Sequence, residues 1–252
     1  MSVAIDYSGK VVLVTGGTRG IGRGIAARFL DAGATVVVCG RNAPELLPER
    51  CHFMACDVRD PDSVAALMDG IATRFGRLDV LVNNAGGSPN ADAATASPRF
   101  SEGIIRLNLI APLIVAQGAN RLMQQQDGGA VQLFIASVGA HRPSPGTAAY
   151  GAAKAGVLNL VSSLAIEWAP KVRVMALSPG LVKTEQSHLH YGDEAGIARV
   201  EATIPAGRMA VPADIGNACL FLASDLASYA SGTHLLLHGG GEAPAFMAAA
   251  AQ

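Results

Sequence analysis

The sequence carries almost no net charge and no long uninterrupted apolar run. The formal net charge is −1 over 252 residues, so the strongly basic surface that nucleic acid or an anionic membrane would attract is absent. No apolar run approaches the roughly 18 residues that span a bilayer. Residues 1–10 lack the basic-then-apolar layout of a signal peptide. We therefore predict a cytoplasmic protein with neither a nucleic-acid nor a membrane partner.

The sequence also offers no pattern for a disulfide framework or a metal site. None of the cysteines forms a C-x-x-C pair, and we interpret all four as small buried hydrophobes; they are Cys39, Cys51, Cys56 and Cys219. His188 and His190 form the single close histidine pair, and two histidines without further nearby ligands make a poor metal site. We predict no bound metal.

No internal repeat or low-complexity linker divides the chain, and we predict a single domain over residues 1–252. Half of the residues are hydrophobic, enough for a large core. Apolar strand segments are predicted at 11–14, 35–39, 52–55, 80–82, 131–136, 172–177 and 234–237, with helices at 23–32, 61–74, 100–126, 148–168 and 212–224. Apolar strands that alternate with helices indicate a parallel sheet covered on both faces. The predicted fold class is α/β, a single-domain doubly wound (Rossmann-type) parallel seven-stranded sheet that binds ligands beyond the carboxyl ends of its strands.

One helical turn separates a tyrosine from a lysine, and a serine precedes the tyrosine by thirteen residues; these are Ser137, Tyr150 and Lys154. A four-residue spacing places two side chains on one helix face. Because a nearby ammonium favours the phenolate, we expect Lys154 to lower the pKa of Tyr150 from its usual value of about 10. A tyrosine tuned in this way can exchange a proton with an alcohol oxygen that Ser137 also hydrogen-bonds. The pattern predicts interconversion of a carbonyl and an alcohol, which requires a hydride carrier.

A glycine-rich turn joins the first predicted strand to the first predicted helix. It contains Gly16, Gly17, Gly20 and Gly22. Glycines permit a tight turn, and the N–H groups of a helix N-terminus attract a diphosphate. By itself, such a glycine cluster is equally compatible with an ordinary turn.

The ordered set of motifs resembles the short-chain dehydrogenase/reductase family, and among its members those similar to 3-oxoacyl-[acyl-carrier-protein] reductase. The set spans about residues 9–241 and comprises Thr15-Gly16-x-x-x-Gly20-x-Gly22, Asn83-Asn84-Ala85-Gly86, Asn108, Ser137, Tyr150-x-x-x-Lys154 and Pro179-Gly180. The resemblance implies that Ser137, Tyr150, Lys154 and Asn108 are catalytic. In this family the asparagine holds a water in the proton relay, and the lysine also bonds the nicotinamide ribose.

The resemblance further implies where a dinucleotide would bind. The expected cofactor-binding residues are Thr15, Gly16, Thr18, Arg19, Gly20, Ile21, Gly22, Gly40, Arg41, Asp57, Val58, Asn84, Ala85, Gly86, Tyr150, Lys154, Pro179, Gly180, Val182 and Thr184. Asp57 and Val58 match the position that touches adenine, and Pro179 to Thr184 the segment that receives the nicotinamide carboxamide. Asp57 is equally compatible with a helix-cap or loop residue.

The second predicted strand lacks the terminal carboxylate with which NAD enzymes of this architecture hold the ribose 2′-hydroxyl. Gly40 occupies that position, Arg41 follows it, and Arg19 lies in the glycine turn. Two guanidinium groups suit a 2′-phosphate, which accepts charge-assisted hydrogen bonds. The sequence therefore favours NADP(H), with NAD(H) as the alternative.

The function predicted from these features is NADP(H)-dependent interconversion of a small-molecule ketone and a secondary alcohol. Two alternatives stay open. The first is another enzyme, either a reductase of 3-oxoacyl thioesters or a hydroxysteroid-type dehydrogenase using NAD(H). The second is a non-catalytic binding or regulatory protein with the same fold. A neutral glutamine run at 124–126 is a poor dock for an acidic carrier protein. Both Tyr150 and Lys154 are present, which disfavours the non-catalytic alternative.

The substrate pocket is expected between residues 87–97, residues 139–147 and a mobile lid at about 185–209. His238 stands where many relatives have an aspartate before Gly239. The mean hydropathy of +0.32 predicts a homo-oligomer, a tetramer or a dimer. The helix at 148–168 has more large apolar side chains than one sheet-facing side can bury, namely Leu158, Leu160, Val161 and Leu164. The Ala-rich tail at 243–252 either is disordered or packs on a neighbouring subunit.

Overall fold

The computed structural model describes residues 5–243, whose centre is one seven-stranded sheet. The strands are β1 (Val11–Thr15), β2 (Thr35–Gly40), β3 (Cys51–Ala55), β4 (Val80–Asn83), β5 (Ala130–Ile135), β6 (Val172–Pro179) and β7 (His234–Leu237). They lie in the order β3-β2-β1-β4-β5-β6-β7, and every neighbouring pair is parallel. The predicted doubly wound parallel fold is confirmed.

Helices cover both faces of this sheet. They are α1 (Gly20–Asp31), α2 (Pro61–Phe75), α3 (Pro98–Ile105), α4 (Ala111–Gln125), α5 (Ala148–Glu167), α6 (His188–Tyr191), α7 (Glu194–Glu201) and α8 (Pro212–Ala223). Alternate residues of a strand point to opposite faces, so Leu13 joins a core beneath α2, α4 and α5, whereas Val12 and Val14 join a core beneath α1 and α8. Each fully buried side chain of this size contributes about 1.5–3 kcal/mol. Burial on both faces explains why the strands read as continuous apolar runs.

The helix predicted at 100–126 is interrupted. Ser97 caps the start of α3, and its hydroxyl accepts a hydrogen bond from the N–H of Phe100. Residues Arg106–Ile110 then form a π-helical turn in which Asn108 is buried. The N–H of Ala111 donates to the carbonyl of Arg106, five residues back. A π turn inserts a residue into a helix and frequently marks a functional site.

Two stretches of helix are more apolar than the sequence pattern suggested. Pro98–Gln125 and Ala148–Glu167 each contain a window of mean hydropathy 1.2, enough for a membrane span by length and composition alone. This differs from the expectation that no segment approaches that length. The fold supplies another reason for the apolar character of α5, because Val157, Val161 and Leu164 are buried in the core beneath it.

The segment predicted as a lid contains α6, α7 and a small core of its own. Ile197, Ile204 and Met209 are buried together, and Leu181 and Val200 pack against them. Its mobility stays a prediction. Residues 244–252, to which the prediction for the Ala-rich tail mainly applies, lie outside the described residues.

Candidate active site

The ends of β1 and β4 are joined by one threonine and one asparagine. The Thr15 hydroxyl accepts hydrogen bonds of 2.9 Å from the N–H groups of Asn84 and Ala85. In return, Asn84 Nδ2 donates to the Thr15 carbonyl at 2.8 Å. These bonds hold the glycine turn and the Asn84–Gly86 segment side by side at the carboxyl edge of the sheet.

The glycine turn has the geometry of a dinucleotide cradle. Gly16 and Gly20 have φ values of 62° and 51°, a region that residues with side chains rarely adopt. A Cβ on Gly22 would collide with the carbonyl of Gly16 and with Asn84 Nδ2. Helix α1 begins at Gly20, three residues before its predicted start, so its first N–H groups face the turn. The turn thus fits a bound diphosphate, with Thr18, Arg19 and Ile21 in its wall.

The predicted Ser–Tyr–Lys set meets at the ends of β5 and α5. Ser137 follows β5, and its hydroxyl accepts a hydrogen bond of 3.1 Å from the N–H of Gly139. Tyr150 and Lys154 lie in the first two turns of α5, and Lys154 Nζ is 5.6 Å from the centre of the Tyr150 ring. Nζ also donates to the carbonyl of Ile135 at 2.7 Å. The lysine is therefore buried and anchored to the strand that ends at the serine.

The electrostatics of this set differ from the sequence-based expectation. Burial raises the pKa of Tyr150, whereas a hydrogen bond with Ser137 lowers it, and burial prevails. Burial also lowers the pKa of Lys154 to about 8. The expected net lowering of the Tyr150 pKa is not found, because desolvation of the phenol outweighs its stabilising contacts.

Asn108 lies beside this set and holds the loop after β4. Its Oδ1 accepts from the N–H of Gly87 at 2.8 Å, and its Nδ2 donates to the carbonyls of Gly87 and Ile104, both at 2.9 Å. A Cβ on Gly86 would lie 2.7 Å from Asn108 Oδ1 and 3.4 Å from Lys154 Nζ. Asn108, Gly86 and Lys154 thus meet, although the side-chain amide of Asn108 is committed to backbone partners. The water-holding role of Asn108 stays a prediction.

The adenosine end of the cradle contains an arginine that sequence reasoning missed. Gly40 ends β2, and Arg41 and Arg19 are both exposed. Asp57 is held by Arg59, whose Nε and NH2 donate to its two oxygens at 2.9 and 2.6 Å. These bonds lower the pKa of Asp57 to about 2. The Asp-x-Arg spacing was the available signal for Arg59, while the neighbouring Val58 is buried in the core.

The segment after β6 crosses from the sheet to the glycine turn. Pro179 ends β6, and the N–H of Gly180 donates to the carbonyl of Leu237 at 2.8 Å. Val182 pairs with Ala210 in an isolated parallel bridge. The Thr184 methyl carbon would lie 3.8 Å from a Cβ built on Gly20. The structure therefore places the predicted nicotinamide segment against the predicted diphosphate turn.

Two loops predicted to frame the substrate pocket are hydrogen-bonded to each other. The N–H of Ala91 donates to the carbonyl of Gly146 at 2.8 Å. A cavity of about 260 Å³ is lined by Val138, which directly follows Ser137, and by His141, Leu181 and His238. His141 Nε2 is 3.0 Å from the hydroxyl of Ser178. His238 thus lines a cavity close to the active site, and a Cβ on Gly180 would lie 2.9 Å from its Cα.

The four cysteines are all buried and free, as expected of small core residues. Within residues 5–243, no group of three or more His, Cys, Asp or Glu side chains is arranged to hold a metal ion.

Comparison with known proteins identifies the family. Residues 16–242 match the family model described as enoyl-(acyl carrier protein) reductase. The chain belongs to the short-chain dehydrogenase/reductase family. It is an oxidoreductase of the CH–OH group that uses NAD or NADP.

Individual relatives are similar along their whole length. The chain is 36% identical to D-threitol dehydrogenase of Mycolicibacterium smegmatis, over 95% of this chain and 96% of that protein. It is 33% identical to 3-oxoacyl-[acyl-carrier-protein] reductase of Salmonella typhimurium, over 94% of this chain and 98% of that protein. The aldohexose dehydrogenase structure from Thermoplasma acidophilum superposes with a TM-score of 0.89 at 32% identity, covering 94% of this chain and 96% of that one.

Proposed function

We propose that the protein uses NADP(H) to interconvert a ketone and a secondary alcohol, with Ser137, Tyr150 and Lys154 as its catalytic residues. The observation that carries this proposal is the meeting of the three side chains at the carboxyl edge of the sheet, with Lys154 buried and bonded to Ile135. The nicotinamide supplies or accepts the hydride. The remaining steps belong to the chain itself.

In reduction, the Ser137 hydroxyl donates a hydrogen bond to the substrate carbonyl oxygen and orients it. Tyr150 then gives its phenolic proton to that oxygen as the alcohol forms, and in oxidation it takes the proton back. The raised pKa of Tyr150 keeps the phenol protonated and able to donate at neutral pH. Lys154 would hold the nicotinamide ribose of a bound cofactor, and its ammonium provides a positive charge beside the phenolate that forms during reduction.

The preference for NADP(H) rests on the charges at the adenosine end. Gly40 contributes no carboxylate, and Arg41 and Arg19 are exposed next to the cradle. Arg41 also interacts electrostatically with Asp57, which places it near the end of β3. A 2′-phosphate accepts charge-assisted hydrogen bonds from such groups. NAD(H) is the second candidate, because the carboxylate of Asp57 lies at the same end of the sheet.

The substrate is a small-molecule alcohol or ketone, and carrier-bound acyl groups are disfavoured. Gln126 is engaged with the backbone of Leu78, whose N–H donates to Oε1 and whose carbonyl accepts from Nε2, both at 2.9 Å. The glutamine run at the end of α4 thus supports the fold and carries no positive charge for an acidic carrier. A hydroxysteroid remains the other substrate class.

The direct test is to mix the protein with NADPH or NADH and a panel of ketones, and to follow the absorbance of the reduced nicotinamide. The panel includes a tetrulose, a ketohexose, a steroid ketone and an acetoacetyl thioester. We expect turnover of at least one ketone, faster with NADPH. Binding of cofactor without turnover of any member would favour a non-catalytic role, and faster turnover with NADH would favour the second cofactor.

A further inference from the structure

A glutamate from a distant part of the chain is hydrogen-bonded to the N-terminus of helix α1. Glu185 directly follows Thr184, and its Oε1 accepts a hydrogen bond of 2.9 Å from the N–H of Gly20, 165 residues away. Its Oε2 is 3.9 Å from the guanidinium of Arg23. The carboxylate therefore sits on the first N–H of the helix that begins in the glycine turn.

This carboxylate occupies a donor at the helix N-terminus, the kind of group that binds a diphosphate. A helix N-terminus carries a partial positive charge and unpaired N–H groups, and it stabilises one anion there, either a carboxylate or a phosphate. A diphosphate approaching Gly20 meets an acceptor already in place and a negative charge beside it. The two anions compete for one donor and repel each other.

We propose that Glu185 is an internal competitor of the cofactor diphosphate, which lowers cofactor affinity and leaves Gly20 when the cofactor binds. This inference rests on the proposed dinucleotide function and adds to it a residue that sets affinity. The contact can open without unfolding the segment, because the Glu185 side chain is 43% exposed and its partner Arg23 is 68% exposed. Such pairs are weakly held at a protein surface.

The local backbone provides a pivot for this movement. The N–H of Thr184 donates to the hydroxyl of Ser187 at 2.8 Å, and the N–H of Ser187 donates to the carbonyl of Thr184 at 3.1 Å. Ser187 is buried. These bonds keep the turn that carries Glu185 closed while the glutamate side chain rotates between Gly20 and solvent.

The test compares Glu185→Ala, Glu185→Gln and the matched control Glu194→Gln in the full chain. Glu194 lies in the same segment, is 86% exposed and pairs with Lys183 instead of the glycine turn. Dissociation constants are measured by fluorescence of NADPH and NADH, and by calorimetry with ADP-ribose and with adenosine 2′-monophosphate, which has no diphosphate. All proteins are first checked for folding by their melting temperatures.

We expect Glu185→Ala to bind NADPH and ADP-ribose about tenfold more tightly than the unmodified protein, since a charge-assisted competitor is removed. Glu185→Gln keeps the acceptor and loses the charge, so we expect a gain of about threefold; it carries the test if the alanine variant does not fold. The Glu194→Gln variant should have the same dissociation constants as the unmodified protein. The dissociation constant of adenosine 2′-monophosphate should be the same for all variants.

Two outcomes would overturn the inference and can be told apart. If every protein binds NADPH or NADH but Glu185→Ala binds no more tightly than the unmodified chain or the Glu194→Gln control, Glu185 does not compete and the proposed function stands. If no protein, including the unmodified one, binds either dinucleotide, both this inference and the proposed function fail.

Discussion

At the scale of single residues, the candidate active site contains side chains that are removed from water. Tyr150 is half-buried and Lys154 is buried, and desolvation shifts the pKa of each toward its neutral form. A neutral phenol is a proton donor, and a buried lysine with a pKa of about 8 gains and loses its charge close to neutral pH. Environment, more than residue type, thus decides the acid–base behaviour of the site.

Replacing Tyr150 by phenylalanine tests the proton donor. The ring remains, so packing and cofactor binding should be nearly unchanged, whereas turnover should fall at least about a hundredfold because general acid catalysis is lost. Steady-state kinetics and NADPH fluorescence measure the two effects. A variant that keeps most of its rate would remove Tyr150 from the mechanism.

Replacing Lys154 by methionine tests the buried ammonium through stability. The folded-state pKa is below the unfolded value of 10.5, so burial of the charge destabilises the fold below pH 8. This penalty is relieved as pH rises from 8 toward 10.5, because the unfolded state then binds more protons than the folded state. We expect Lys154→Met to unfold at a higher urea concentration at pH 7, and its advantage to shrink by pH 10.

The control for that experiment is Lys183→Met, since this lysine is 39% exposed and pairs with Glu194. Its unfolding midpoint should differ little from that of the unmodified protein at either pH. An equal gain in both lysine variants would mean that general hydrophobicity, not the buried charge, is responsible. Loss of both turnover and cofactor affinity should accompany Lys154→Met.

Introducing an acid at Gly40 tests cofactor choice. The nearest atom to a Cβ at this position is Thr18 Oγ1 at 3.9 Å, so an aspartate fits. The new carboxylate accepts from a 2′-hydroxyl and repels a 2′-phosphate, and a charged hydrogen bond of about 1.5–3 kcal/mol corresponds to at least tenfold. Gly40→Asp should therefore reverse a preference for NADPH over NADH in kcat/KM. A preference of the unmodified enzyme for NADH would show that Arg41 and Arg19 do not select for the 2′-phosphate on the adenosine ribose.

At the scale of elements, the π turn at Arg106–Ile110 connects a helix to the active site. It directs Asn108 into the interior, where three hydrogen bonds join it to Gly87 and Ile104. A regular helix through the same residues would rotate every following side chain relative to α3. The turn thus aligns both halves of the long helical segment with the loop after β4.

Replacing Asn108 by alanine should loosen this connection. The variant loses the three hydrogen bonds of the Asn108 side chain, and a typical intramolecular hydrogen bond contributes about 0.5–1.5 kcal/mol to stability. We expect a lower melting temperature and a lower kcat, measured by calorimetry and kinetics. Asn120→Ala on α4 is the matched control and should be nearly neutral, because the Asn120 side chain accepts a hydrogen bond of 3.3 Å from the exposed Gln124.

At the scale of the whole molecule, self-association stays a prediction, and the structure changes the residues on which it rests. Leu158 and Leu160 pack against the same core as Val161 and Leu164, so these four do not require a partner. Ile166 near the end of α5 is 82% exposed, and Tyr229 and Leu226 are also exposed after α8. Contiguous apolar patches at a surface commonly mark interfaces, so these three side chains are the candidates for such a patch.

We expect sedimentation equilibrium at micromolar concentration to show a dimer or a tetramer. Ile166→Glu should shift the distribution toward a smaller species if α5 lies in an interface, because a carboxylate would be buried without a partner. Glu167→Gln, at the neighbouring position, is the control. A monomer for the unmodified protein would refute the prediction.

The sequence by itself determined the fold class and the family, and it proposed the candidate catalytic residues, whose roles stay a prediction. Apolar strands that alternate with helices bury their side chains when the helices cover both faces of a parallel sheet. The four-residue spacing of Tyr150 and Lys154 places both on one helix face before any tertiary contact forms. The carboxyl ends of parallel strands lie at one edge, so Thr15, Asn84 and Ser137 were expected near one another.

Only the tertiary structure decided the energetics and the long-range contacts. The pKa of Tyr150 depends on how much water the surrounding loops exclude, and no local pattern encodes that exclusion. The contact of Glu185 with Gly20 joins residues 165 positions apart, and the side chain of Asn108 in the π turn is hydrogen-bonded to Gly87 in the loop after β4. Sequence periodicity reflects interactions between residues that are close in the sequence, whereas these features depend on contacts between residues that are distant in the sequence.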